Sequence, residues 1–207
     1  MKKIGILFCL MFTLGSCAQE TKNEISSITM GNRGYTVSIG NKLYNYYQKN
    51  WKEISSEASG KINGVSIGNR GYTVAIGNKL HNYYQKNWRE ISSEAPGKIT
   101  DVTIGNRGYT VAIGNKLYNY YQKNWREISS EAPGKINAVT IGNRGYTVAI
   151  GNKLYNYYQK KWKEISREAS GKINGVTLGN RGYTVIIGNQ LVNYYKSEWK
   201  LISTYSK

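Results

Sequence analysis

The hexapeptide Gly-Asn-Arg-Gly-Tyr-Thr occurs five times, starting at Gly31, Gly68, Gly105, Gly142 and Gly179. It carries the chain's best candidates for chemistry. A planar amide beside a guanidinium offers several N–H donors and one acceptor in fixed geometry, which suits a hydroxyl-rich ligand. A neighbouring aromatic ring would add a surface for the apolar side of a sugar. The candidate contacts are Asn32 and Arg33, Asn69 and Arg70, Asn106 and Arg107, Asn143 and Arg144, and Asn180 and Arg181. Tyr47, Tyr84, Tyr121, Tyr158 and Tyr195 are candidate stacking platforms. The competing reading is that Asn-Arg only builds a turn and the arginine packs over an aromatic ring.

Catalytic chemistry finds little support. The single histidine, His81, stands where the other copies have Tyr44, Tyr118, Tyr155 or Val192. Both cysteines lie in the first 17 residues. Glu53, Glu57 and their equivalents recur symmetrically, so no pair is set apart to converge on one bond as glycosidase chemistry requires. Metal binding lacks a His, Cys or Asp cluster. The expectation is a non-enzyme without metal or cofactor.

The hexapeptides are spaced by 37 residues, and Trp51, Trp88, Trp125, Trp162 and Trp199 keep the same step. A fixed period of this size marks a repeat architecture. Within one copy, Gly64–Ile67, Tyr72–Ile76, Leu80–Tyr84 and Trp88–Ile91 read as short strands separated by turn residues. Gly77-Asn78 is a two-residue hairpin signal, and Gln85-Lys86-Asn87 a polar loop. No stretch holds a 3.6-residue apolar period without a glycine. Four short antiparallel strands per repeat make one blade, so the predicted fold is an all-β, five-bladed β-propeller over residues 24–207. Each blade would come from one repeat, starting with Ile28-Thr29-Met30 and ending with Trp199–Ile202. The ring would close by side-chain packing and stay monomeric. A solenoid of stacked hairpins is the alternative. The tryptophans are assigned to the packing between blades.

In an up-and-down blade, alternate turns share a rim. One rim therefore gathers the Asn-Arg turns and the Gln-Lys-Asn loops, and the opposite rim Asn78, Lys79 and the Ser-Glu-Ala-Pro-Gly loop. Only the first rim combines amides, guanidinium groups and aromatics.

Lys plus Arg number 29 against 12 Asp plus Glu, a formal net charge of +17. Such a balance favours anionic partners, while the 19 tyrosines argue against disorder. Met1-Lys2-Lys3, an apolar run from Ile4 to Leu14, and then Leu14-Gly15-Ser16-Cys17 have the order of a secretory signal. The apolar run is shorter than the ~20 residues a membrane-spanning helix needs. Leu-Gly-Ser-Cys resembles the bacterial lipobox, which implies a signal peptide over 1–16, acylation at Cys17 and a short tether over 17–23. A plain signal peptide with an incidental cysteine is the alternative.

The frame Trp51, Ile54, Gly60, Val65–Gly68, Gly71–Val74, Asn78, Leu80 and Trp88 resembles the tectonin repeat. That resemblance runs through nearly the whole chain after residue 23. It implies a β-propeller that binds glycans. This chain departs from the family in two ways: known tectonin propellers commonly have six blades, and many carry Trp where Tyr72 or Thr73 stands here. The expected function is a multivalent carbohydrate-binding propeller anchored through lipid to the bacterial cell envelope. Its partners would be glycans or anionic polysaccharide, and a membrane, with no nucleic acid. The alternatives are an electrostatic adhesin for anionic polymers and a scaffold for another envelope protein.

Overall fold

The computed structural model describes residues 24–105, 107–142 and 144–206. The expected signal peptide, Cys17, the tether, Asn106 and Asn143 lie outside the described residues. Twenty strands form five four-stranded antiparallel sheets, each built from one repeat. Blade 1 comprises β1 (Ile25–Gly31), β2 (Gly34–Ile39), β3 (Lys42–Tyr47) and β4 (Asn50–Glu53). Blade 2 has β5 (Ile62–Gly68), β6 (Gly71–Ile76), β7 (Lys79–Tyr84) and β8 (Asn87–Glu90). Blade 3 has β9 (Ile99–Gly105), β10 (Gly108–Ile113), β11 (Lys116–Tyr121) and β12 (Asn124–Glu127). Blade 4 has β13 (Ile136–Ile141), β14 (Tyr146–Ile150), β15 (Lys153–Tyr158) and β16 (Lys161–Glu164). Blade 5 has β17 (Ile173–Leu178), β18 (Tyr183–Ile187), β19 (Gln190–Tyr195) and β20 (Glu198–Thr204). This is the five-bladed propeller expected from the period, in the expected phase. The first strands begin earlier than the sequence suggested, at Ile25 and its equivalents.

Each sheet is apolar on both faces because each face meets a different neighbour. Leu43 and Ala58 of blade 1 pack against Ile62, Val65, Val74 and Tyr83 of blade 2, with Trp88 at the edge. The same pairing recurs where Ala75, Leu80 and Ala95 meet Ile99, Val102, Val111 and Tyr120. A small residue at the position of Ala75 lets the valines of the next blade approach. Full burial of a leucine such as Leu43 contributes about 1.5–3 kcal/mol. Tyrosine and tryptophan polar ends also tie blades together. The Ser56 N–H donates to the Tyr83 hydroxyl at 3.3 Å, and Trp88 Nε1 donates to the Ser56 carbonyl at 3.3 Å. The tryptophans therefore belong to the packing between blades.

Among the described residues, no strand is shared across the seam between blades 5 and 1. Side chains close the ring, and the seam is bulkier than the other junctions. Ile186 occupies the place of Ala75, and buried Tyr205 joins Ile25, Ile28 and Val37. The Tyr205 N–H donates to the Asn189 carbonyl at 2.8 Å, as Ala58 does to Asn41 at 2.8 Å, so the tyrosine fills an alanine's position. Its ring lies 5.0 Å from Trp51 and 5.8 Å from Tyr44. Thr184 Oγ1 donates to the Tyr35 hydroxyl at 3.2 Å across the same seam.

Candidate functional site

The Asn-Arg turns join the first two strands of each blade and sit around one mouth of the central axis. Gly34 ends the first turn at φ +81°, and a Cβ there would collide with the Tyr46 carbonyl oxygen. Glycine is thus required twice over, by backbone conformation and by the close approach of β3. Asn45 fixes the turn from the neighbouring strand, its Nδ2 donating to the Arg33 carbonyl at 3.0 Å and the Tyr35 carbonyl at 3.2 Å. Asn82, Asn119, Asn156 and Asn193 repeat the bond to the preceding arginine carbonyl, each at 3.0 Å.

These contacts account for the backbone of the turn but not for its side chains. Arg33, Arg70, Arg107, Arg144 and Arg181 are exposed. Among the described residues, none of their guanidinium groups takes part in an ion pair or a side-chain hydrogen bond. None packs over an aromatic ring either; the cation–π contact in the described structure is Lys196 on Tyr195, at 5.5 Å. Asn32, Asn69 and Asn180 are likewise exposed.

Asn32, Arg33 and Asn69 share a cavity of about 710 Å³ between blades 1 and 2, with Tyr72 in its wall and Met30, Ile67 and Ile104 at its axial end. Tyr47 does not line it. Tyr47, Tyr84, Tyr121, Tyr158 and Tyr195 stand farther out on the same rim, where the third strands end, and are 43–46% exposed. The structure thus brings the amide and guanidinium groups together and sets the tyrosine platforms apart from them. The aromatic that lines the cavity with the amides is the half-buried Tyr72, which in sequence reads as a second-strand residue. Met30, Ile67, Ile104, Ile141 and Leu178 occupy equivalent positions and were also missed. In sequence they read as ordinary strand residues; packing sets Ile67 against Gly31 and Ile104 against Gly68 at the mouth.

The outer turns of this rim differ from the expected three-residue loop. Gln48 and Lys49 have φ of 50° and 65°, and the other four blades repeat the pair in the left-handed region. These are two-residue hairpin turns made without glycine or asparagine at either position, with Asn50 already in β4 and paired to Tyr47.

Charge is distributed unevenly between the two faces. On the face opposite the Asn-Arg turns, Lys42 pairs with Glu53 at 3.2 Å and Glu57 at 3.6 Å. Lys79, Lys116 and Lys153 make the same pairs. The hydrogen bond to Glu53 raises the Lys42 pKa, and burial together with Glu53 pushes the Tyr44 hydroxyl up to about 12. The Asn-Arg face carries arginines and the turn lysines Lys49, Lys86, Lys123, Lys160 and Lys196. Glu198 is the acid that β20 adds at this end. His81 lies 4.0 Å from Glu90, and burial lowers its pKa.

The fold is a five-bladed β-propeller that repeats one polar turn around a single face, an arrangement consistent with a binding scaffold. No family model matches the chain, and no curated protein matches it. Among solved structures, it is similar to a chain of a nidogen/laminin complex, with a TM-score of 0.64 and 9% identity over 88% of this chain and 80% of that one. It is also similar to YCF48 bound to D1 peptide, with a TM-score of 0.52 and 15% identity over 89% and 68%. A third is the extracellular domain of BT4673 from B. thetaiotaomicron, with a TM-score of 0.54 and 12% identity. This chain spans 29% of that domain's length. At these identities the likeness establishes the fold.

Proposed function

We propose that the propeller is a lectin-like module that binds carbohydrate through its five Asn-Arg turns, and that lipid at Cys17 holds it on the bacterial cell envelope. The supporting observation is the set of five exposed guanidinium groups with no partner among the described residues, on arginines whose backbone carbonyls are held by Asn45 and its equivalents. Donors left unused by the protein on an ordered backbone are available to a ligand. The cavity shared by Asn32, Arg33 and Asn69 has room for a sugar ring beside Tyr72. Single sites of this kind are weak, and engagement of several on one glycan-coated surface gains through effective concentration.

The segregation of charge favours one further reading, in which the same face adheres to anionic envelope polymers. Glycan-array binding at low and high salt separates the two. Binding to neutral sugars that persists in high salt, and is lost when Arg33 and its equivalents become alanine, supports the lectin. Binding confined to polyanions that falls steeply with salt supports the adhesin. Loss of binding on replacing Lys42 and its equivalents instead would move the site to the opposite face.

A further inference from the structure

The axis has a second mouth, on the face away from the Asn-Arg turns, and its residues answer to nothing in the proposed function. Position 24 and its equivalents meet there: Glu24, Lys61, Lys98, Lys135 and Lys172 line one basin of about 470 Å³. Two residues farther along each chain segment, Ser26, Asn63, Thr100, Asn137 and Asn174 also line it.

The lysines of this basin differ from others on the same face. Lys42, Lys79, Lys116 and Lys153 are each neutralised by two glutamates. Lys61, Lys98, Lys135 and Lys172 have no acidic partner among the described residues. Glu24, the one acid in the ring, is engaged by Asn174, whose Nδ2 donates to its Oε1 at 2.8 Å. Asn63 and Thr100 are committed to backbone carbonyls of the next blade, whereas the Asn137 amide has no hydrogen-bond partner among the described residues. Beneath the wall, Ser27 hydrogen-bonds to Asp101. Burial favours the neutral form of Asp101, which lessens its opposition to an anion above it.

We infer that this basin binds a compact anion of the phosphate class carrying two phosphate groups. Four lysines line one concave basin, and ammonium groups act as point charges toward phosphate. Offset by Glu24, they leave a net charge close to that of two phosphates, each carrying about −1.5 to −2 at pH 7. The site is independent of the glycan reading, because it lies on the other face and shares no residue with it.

Titration calorimetry of the full chain with pyrophosphate tests the inference. Binding in one-to-one ratio is expected. Lys98→Ala and Lys135→Ala should each weaken it about tenfold, the loss of one hydrogen bond to a charged group. Glu24→Gln should strengthen it, and a top-face variant, Arg70→Ala with Arg107→Ala, should leave it unchanged. All these side chains are exposed, so matching thermal melts verify that the variants fold. Vesicles bearing a phosphomonoester headgroup in a phosphatidylcholine background identify the source. Binding to them that pyrophosphate competes away assigns a lipid headgroup, and pyrophosphate binding without vesicle binding assigns a soluble phosphate. Absence of pyrophosphate binding, or equal weakening by the arginine variants, overturns the site. Neither result bears on glycan binding at the other face.

Discussion

The Ser27 hydroxyl donates to Asp101 Oδ1 at 2.8 Å, joining β1 to β9 across the axis of the ring. The two residues occupy equivalent positions in blades 1 and 3, and blade 2 has Gly64 between them. A Cβ on Gly64 would lie 2.7 Å from Asp101 Oδ1, so the aspartate uses space that the glycine vacates. Asp101 Oδ2 accepts the Val139 N–H of blade 4 at 2.9 Å, and Ser27 Oγ accepts the Val65 N–H of blade 2 at 3.1 Å. Two side chains thereby satisfy first-strand N–H groups that face the axis and have no partner strand.

That carboxyl gives stability a defined pH dependence. Burial raises its pKa to about 7, against the hydrogen bonds from Val139, Ser27 and Val102, which lower it. The folded state therefore holds a proton that the unfolded state releases near pH 4. Stability from this group is greatest below about pH 4 and falls as pH rises toward 7, by about 1.4 kcal/mol per unit at most. Urea denaturation from pH 5 to 8 should show the chain losing stability relative to Asp101→Asn. Parallel profiles for the two would show that Asp101 keeps an ordinary pKa.

Tyr205 locks the seam. It is 6% exposed, where an alanine stands at the other junctions. Tyr205→Ala should lower unfolding free energy by about 3–5 kcal/mol, as loss of a buried aromatic does. Tyr84→Ala, at a side chain 46% exposed, should stay within about 0.5 kcal/mol. Comparable thermal shifts for the two would mean that Tyr205 does not carry closure.

Ser38 replaces the alanine found in blades 2 to 4, and its buried hydroxyl has no hydrogen-bond partner among the described residues. A buried hydroxyl without a partner is unfavourable by about 1–3 kcal/mol. Ser38→Ala should therefore stabilise the fold by about 1 kcal/mol or more in chemical denaturation. A destabilised variant would point to a bound water or an unseen partner.

The outer hairpin turns hold strain. Gln85 and Lys86 sit at φ of 50° and 65°, where a side chain is unfavourable by roughly 1–2 kcal/mol per residue. Changing the pair to Asn-Gly should raise the denaturation midpoint, with the register of Tyr84 and Asn87 unchanged. A lower midpoint would indicate that Gln85 or Lys86 makes contacts worth more than the strain.

The repeat alone determined the number of blades, their phase and the rim on which Asn32 and Arg33 emerge. Hydrogen bonding between successive strands is local, so an alternating pattern such as Tyr72-Thr73-Val74-Ala75-Ile76, bounded by glycine turns, specifies one antiparallel sheet wherever it occurs. Tertiary packing decided the rest, because it depends on how sheets from distant repeats meet. Nothing local in Lys61 or Lys98 marks them as facing an axis, and nothing in Gly64 shows that Asp101 will fill its place. Ring geometry also parted Tyr47 from the cavity of Asn32 and Arg33 and brought Tyr72 to it instead. Positions 37 residues apart look alike in sequence; the closed ring makes them neighbours, and at the axis and the seam it makes them unlike.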